Sequence, residues 1–225
     1  MRVEPRLRAV IFDFDGVLAD TEALHAAAFQ ATAAGDGIAL TLDDYYHSFL
    51  GLPDRACLAK LYARAGRART AAELDALVAR KRAEFARLAP AAHLYDGVAA
   101  LLRRLSPRYR LAVASGAFRD EIEPILDRGG VRPLFTALVG AEDVPRGKPA
   151  PDPFLSALAA MNAATRDQLR PADCVVVEDS PLGIAAARAA GMHCVGVTTH
   201  HPAAALAADT IVAHVGELRI EELAW

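Results

Sequence analysis

Val10-Ile11-Phe12-Asp13-Phe14-Asp15-Gly16-Val17-Leu18 is the stretch whose reading decides the fold. An apolar run of strand character leads into two acids at i and i+2, then a glycine, then apolar residues again. Alternate residues of an extended chain project from one face, so Asp13 and Asp15 start out side by side at a strand end. Two adjacent carboxylates repel, and one of them is pushed toward its protonated form unless a cation intervenes. A hard divalent ion with oxygen ligands removes that conflict. Gly16 permits a sharp turn or a close backbone approach. A surface turn after a strand would also carry Asp-Gly, so the rest of the chain has to decide between the two readings.

Working outward, residues 7–12 read as a short buried strand. From Thr21 to about Ala92 the character is helical: Ala23–Ala34, a helix opened by Thr41-Leu42-Asp43-Asp44, another after Gly51-Leu52-Pro53-Asp54, and Ala71–Leu88 closed by Pro90. No run of β-branched residues interrupts this block, which looks like a lid inserted into a different fold. Beyond it, strands and helices alternate. Asp96-Gly97 is expected to cap a helix to about Leu105. Strands follow at Arg110–Ala114, Phe135–Val139, Cys174–Val177, His193–Thr198 and Thr210–Val215. Helices are expected over Asp120–Arg128, from Pro153 to about Asn162, and after Ser180-Pro181, the last closed by Gly191. Strands separated by helices predict an α/β fold with a parallel sheet covered on both faces.

Composition bounds the function. A formal charge of −3 and 53% hydrophobic residues over 225 positions describe a globular chain, with no strongly basic balance for nucleic acid. Arg64, Arg67, Arg69 and Arg80–Arg82 have acids nearby and read as a solvated face. Cys57, Cys174 and Cys194 are odd in number and far apart, which argues against a disulfide framework or zinc site and for a reducing compartment. The amino terminus has no long apolar run and no stretch of about 18 apolar residues occurs, so neither signal peptide nor membrane span is expected, and the location is read as cytoplasmic.

In parallel sheets ligands bind beyond the carboxyl ends of the strands. Asp13 with Asp15, Ser115, and Glu178 with Asp179 each come directly after an apolar strand, and Lys148 lies in the loop after another. Such a set can transfer a phosphoryl group. Asp13 would attack phosphorus, and Mg²⁺ held by Asp13 and Asp179 with help from Glu178 would screen the approach of two anions. Lys148 and Ser115 would take the non-bridging oxygens, and Asp15 would serve as general acid and then base. Only three of the 25 basic residues are lysines, which suits a retained phosphate contact at position 148. Taken singly, Ser115 could be a turn residue, Lys148 a solvated lysine, and Glu178-Asp179 a favourable start to the next helix. His200-His201-Pro202 reads as a loop after a strand rather than a metal site.

Asp13-Phe14-Asp15-Gly16-Val17-Leu18-Ala19-Asp20-Thr21 resembles the first motif of the haloacid dehalogenase-like hydrolase superfamily. Ser115, Lys148 in Gly-Lys-Pro-x-Pro-Asp-Pro, and Val177-Glu178-Asp179-Ser180-Pro181-x-Gly183-Ile184 resemble the second, third and fourth, in the right order, over about Arg8 to Val215. The resemblance implies a Rossmann-like core made of 1–20 and 93–225, and a helical cap domain at 21–92. It also implies an aspartyl-phosphate mechanism with Mg²⁺ bound by the Asp13 carboxylate, the Asp15 backbone carbonyl and Asp179.

Within the superfamily the chain is most similar to the branch of β-phosphoglucomutase, phosphoglycolate phosphatase and small sugar-phosphate phosphatases. That branch implies substrate contacts by Thr21, His25, Arg55 and Lys81 from the cap, and by Gly116 and Arg119 beside the second motif. One departure stands out. Where the mutases carry a small polar residue and a lysine for a second phosphate, this chain has Ala117 and Phe118, followed by Arg119. The loss favours hydrolysis over mutase action, although Arg119 or Arg55 could substitute.

The expected enzyme is a Mg²⁺-dependent phosphatase of a small phosphorylated metabolite, a sugar phosphate or phosphoglycolate-like ester. It is read as a monomer, with a dimer left open. A phosphosugar mutase is the alternative. A dehalogenase would leave Asp15, Glu178 and Asp179 unexplained, and a phosphonatase would need Lys60 or Lys81 as a Schiff base. A receiver-type signalling module places its acidic pair before the acceptor and has no helical insert, and a P-loop fails because Pro149 follows Lys148 and no glycine sits five residues before Gly147.

Overall fold

The computed structural model describes residues 7–166 and 168–222. Positions 1–6, part of the segment read above for a leader, lie outside them. The chain divides into two compact units: one runs to Asp20 and resumes at His93, and the other is Thr21–Ala92.

The first unit is built on a parallel sheet. Its strands are β1 (Ala9–Phe12), β4 (Arg110–Ala114), β5 (Ala137–Val139), β6 (Cys174–Glu178), β7 (His193–Val197) and β8 (Thr210–Val212), in the order β5-β4-β1-β6-β7-β8. Every pairing is parallel, and β1 lies between β4 and β6 with Phe12 opposite both Val113 and Val177. Both faces are covered. Ala9, Ile11, Ala112, Ala114 and Val176 pack with Phe154, Leu158 and Ile184 from α7 (Asp152–Thr165) and α8 (Pro181–Ala189). Their neighbours Val10, Phe12, Leu111, Val113, Val175 and Val177 are fully buried as well. This explains why the strands read as unbroken apolar runs rather than alternating ones. The chain builds outward from β1 to one side through β4 and β5, then crosses to the other through β6, β7 and β8. The order therefore reverses at β1, and the crevice at its carboxyl end is where such sheets bind ligands.

Two short strands were not anticipated. β2 (Ala19–Asp20) and β3 (His93–Leu94) pair antiparallel at the points where the chain leaves and re-enters this unit. At two residues each they carry no periodic signal. Other boundaries shift for identifiable reasons. The strand expected from Phe135 begins at Ala137, because Phe135 closes a turn over Arg132–Leu134. The last strand stops at Val212, and Val215–Glu217 forms a 3₁₀ turn. The helix α5 (Val98–Leu105) begins after Gly97, with no side chain accepting at its start, so Asp96 does not cap it. α6 runs Arg119–Arg128.

The second unit is all helical: α1 (Glu22–Ala34), α2 (Leu42–Ser48), α3 (Asp54–Arg64) and α4 (Ala71–Leu88). Thr41 Oγ1 accepts from the Asp44 amide at 3.0 Å, and Thr70 forms a capping box with Glu73, so two of the four starts are fixed by their own side chains. Ala26, Phe29 and Ala33 recur at helical spacing on α1 and meet Tyr45, Leu58, Leu61, Leu74 and Leu77 in a core of this unit's own. No helix among the described residues is long and apolar enough to cross a membrane.

Candidate active site

The end of β1 turns abruptly. The Phe14 carbonyl accepts from the amides of Leu18 at 2.8 Å and Ala19 at 3.0 Å, and Gly16 supplies the left-handed residue at φ +75°. The turn leaves Asp13 at the mouth of the sheet, its amide bonded to the Val177 carbonyl of β6 at 2.9 Å. Ser115 follows β4 and donates its hydroxyl to Asp15 Oδ2 at 3.2 Å while accepting from the Ala117 amide at 3.1 Å. Lys148 reaches in from the loop between β5 and α7, with Nζ 2.7 Å from Asp13 Oδ1 and 2.5 Å from Glu178 Oε1. Asp13, Glu178 and Asp179 each offer a carboxylate oxygen within 4.8 Å of the others. The six residues read from the strand ends are thus linked in this one unit.

The electrostatics follow from crowding. Asp13 is held well above the usual carboxylate range by burial; Lys148 pulls it down, while Glu178, Asp179 and Asp15 push it up further. Burial works against the charge on Lys148, but Asp13 and Glu178 outweigh it and keep the ammonium protonated. A buried anion cluster of this composition, all oxygen donors and one ammonium, fits a hard divalent cation. Glu178 is committed within the protein. Its Oε1 takes Lys148, and its Oε2 accepts both the amide and the hydroxyl of Ser180 at 2.9 Å. Ser180 in turn caps α8, accepting from the Gly183 amide at 3.1 Å. The duller reading of Glu178, as a helix-start acid, is therefore also physically present.

Gly183 shows how closely Glu178 lies on that helix, since a Cβ there would fall 1.7 Å from Glu178 Oε1. Gly116 has open space where a side chain would stand. Arg119 is the first residue of α6, and its Nε donates to Asp143 Oδ2 at 2.7 Å. One residue read from the sequence only as part of a loop also touches the site. His200, in the loop after β7, has Nδ1 2.8 Å from Asp179 Oδ2. The signal that could have found it is the one used for the others, a polar residue just past a strand's carboxyl end.

The remaining candidates lie in the helical unit. Thr21 precedes α1 and is buried. His25 stacks on Phe85 with centroids 4.2 Å apart, and its Nδ1 is 2.8 Å from Lys81 Nζ. An ammonium can only donate, so Nδ1 is the acceptor and His25 carries its proton on Nε2. Lys81 is fully buried rather than solvated, and it also pairs with Asp54 at 2.8 Å. Arg55 is exposed and bonds Asp75 at 3.0 Å and the Ala71 carbonyl at 3.2 Å. His25 and Lys81 are brought together; Arg55 keeps separate company.

Comparison with known proteins matches residues 10–197 to the haloacid dehalogenase-like hydrolase family. The chain belongs to that family. It is 36% identical to the validoxylamine A 7'-phosphate phosphatase of Streptomyces hygroscopicus subsp. limoneus, over 94% of this chain and 96% of that protein. It is 32% identical to the β-phosphoglucomutase of Bacillus subtilis, over 96% of this chain and 94% of that one. The crystal structure of CbbY from Rhodobacter sphaeroides in complex with phosphate superimposes with a TM-score of 0.81 at 26% identity, covering 94% of this chain and 96% of that one.

Proposed function

We propose that this chain is a Mg²⁺-dependent phosphatase of a small phosphorylated metabolite, a sugar phosphate or phosphoglycolate-like monoester, acting through an aspartyl-phosphate. Family membership and the phosphatase among its relatives make it a phosphoric monoester hydrolase. The observation that carries the finer reading is the buried Asp13 carboxylate, ion-paired to Lys148 and grouped with Glu178 and Asp179.

In this reading Asp13 forms the bond to phosphorus as the bond to the leaving oxygen breaks, and Asp15 delivers a proton to that oxygen. Asp15 then takes a proton from the water that attacks phosphorus and releases Asp13. Ser115 and Lys148 bind the non-bridging oxygens, where charge is spread in the transition state. Asp13, Asp179 and the Asp15 carbonyl would hold the cation, whose positive charge lets two anions approach. Glu178, tied to Lys148 and Ser180, aims the lysine. The helical unit is read as a cap that selects the substrate.

Hydrolysis is preferred to mutase action because the cations that might take a second phosphate are engaged. Ala117 and Phe118 carry none, Arg119 is held by Asp143, and Arg55 by Asp75. Three free, buried cysteines support work in the reducing cytoplasm, and the chain is taken to act as a monomer. The test is release of inorganic phosphate from a generic phosphomonoester with Mg²⁺ and with chelator. Activity is expected only with the metal, and chelator-insensitive turnover would sink the proposal. Efficient conversion of β-glucose 1-phosphate to glucose 6-phosphate, primed by the 1,6-bisphosphate, would reverse the preference for hydrolysis.

A further inference from the structure

We infer that His200 is a positioning residue for the cation site: it holds Asp179 by one oxygen and so presents the other to the metal. The inference rests on the Mg²⁺ reading above and concerns a residue outside the four motifs. Its basis is a three-way contact. His200 Nδ1 lies 2.8 Å from Asp179 Oδ2, and both side chains are nearly buried, at 13% and 9% exposure. Gly16, on the turn that follows Asp13, is part of the same contact. A Cβ on it would fall 2.2 Å from Asp179 Oδ2 and 2.8 Å from His200 Nδ1. The motif turn, the carboxylate and the imidazole therefore share a space that only glycine leaves open.

The direction of the bond follows from chemistry. An ionised carboxylate can only accept, so the proton sits on His200 Nδ1. A nitrogen carrying a proton has no lone pair for a metal, which makes His200 Nδ1 a donor to the ligand rather than a ligand. The cluster of oxygens that could hold the cation is made of carboxylates alone. The terminal torsion of an aspartate is broad and two-fold, so an unheld carboxylate samples many orientations. A directed hydrogen bond at Oδ2 narrows that range for a carboxylate that also contributes an oxygen to the acidic cluster. Outer groups of this kind change metal affinity by about 10- to 100-fold when removed.

The test is binding of Mn²⁺, an oxygen-preferring probe, to the full-length protein, with unbound ion read by electron paramagnetic resonance. His200→Ala is expected to weaken Mn²⁺ about tenfold. His200→Asn keeps an amide donor near the position of Nδ1 and is expected to restore most of that affinity, which loss of packing alone would not allow. Alanine binding as tightly as wild type overturns the inference, as does asparagine binding as weakly as alanine. A strong Zn²⁺ preference in the wild type that vanishes in both variants would make His200 a direct ligand and overturn it too. A wild-type protein that binds no Mn²⁺ removes the metal reading itself along with this inference. Normal wild-type binding with an unaffected alanine variant removes this inference alone.

Discussion

The two units balance charge in opposite ways. At the strand ends of the sheet unit four acids, Asp13, Asp15, Glu178 and Asp179, lie together, and Lys148 is ion-paired to Asp13 and Glu178. In the helical unit the charges are matched: Lys81 with Asp54, Arg80 with Asp36, Arg55 with Asp75, and Arg64 with Asp44. Opposite charges in contact satisfy one another, and such pairs hold a shape. Burial first, and the neighbouring acids after it, leave Asp13 well above its usual range, a cost that an arriving cation would offset. The first arrangement keeps an excess of acid, whereas each of these four pairs in the second is balanced.

The contrast breaks most visibly at Asp13. Asp13→Asn keeps the size and removes both the nucleophile and one charge of the excess. Phosphate release is expected to fall on the order of 10⁴-fold or more. Turnover at the wild-type rate would remove Asp13 from its role and the charge excess from any part in catalysis.

Next in size is Asp54→Asn in the helical unit, which takes the carboxylate from beside a fully buried ammonium. Breaking a buried pair from one side costs about 3 kcal/mol, and the double variant with Lys81→Met should recover much of it. Denaturant unfolding reads both. An unchanged midpoint in the single variant would mean the helical unit does not depend on that pairing.

Gly183→Ala sharpens the comparison because two effects oppose. Alanine favours helix over glycine by about 1 kcal/mol. Against that, the added methyl would lie 1.7 Å from Glu178 Oε1, and overpacking costs about 1–3 kcal/mol. The close approach should win: a lower melting temperature, and reduced kcat/KM as Glu178 shifts and Lys148 loses its aim. A higher melting temperature would show that Glu178 moves aside freely.

Much of this was legible in the sequence because the sheet unit is patterned by local rules. Continuous apolar strands, capping residues at some of the helix starts, and polar residues just past the strands told where Asp13, Ser115, Lys148 and Glu178 would fall. What escaped was set by partners distant in sequence. The β2–β3 pair exists only because residues 19–20 meet 93–94. His200 matters through Asp179, 21 positions away, and a histidine in a loop carries no periodicity to betray it. The burial of Lys81 was not legible because its helix is otherwise rich in charge, and it depends on Asp54, His25, Phe29 and Phe85. The motifs spell the chemistry, whereas the commitments that limit each side chain, such as Arg119 to Asp143, appear only in three dimensions.

The smallest expected effect lies in the helical unit's surface network and follows from a sign. Asp36 sits below the usual carboxylate range, first because the Tyr62 hydroxyl donates to it and then because Arg80 does. A carboxyl whose folded-state value is depressed stabilises the fold above its unfolded value, near 4, and loses that contribution as the pH falls through the folded value. Stability of the wild type should therefore decline below about pH 4 by an amount that includes Asp36. In Asp36→Asn the amide does not titrate, so its acid decline should be shallower while its stability at pH 7 is slightly lower. Parallel acid limbs would mean that Asp36 titrates alike in the folded and unfolded chain. The matched pairs of the helical unit would then contribute shape without any dependence on acid, and the contrast with the sheet unit's cluster would be one of burial rather than of charge balance.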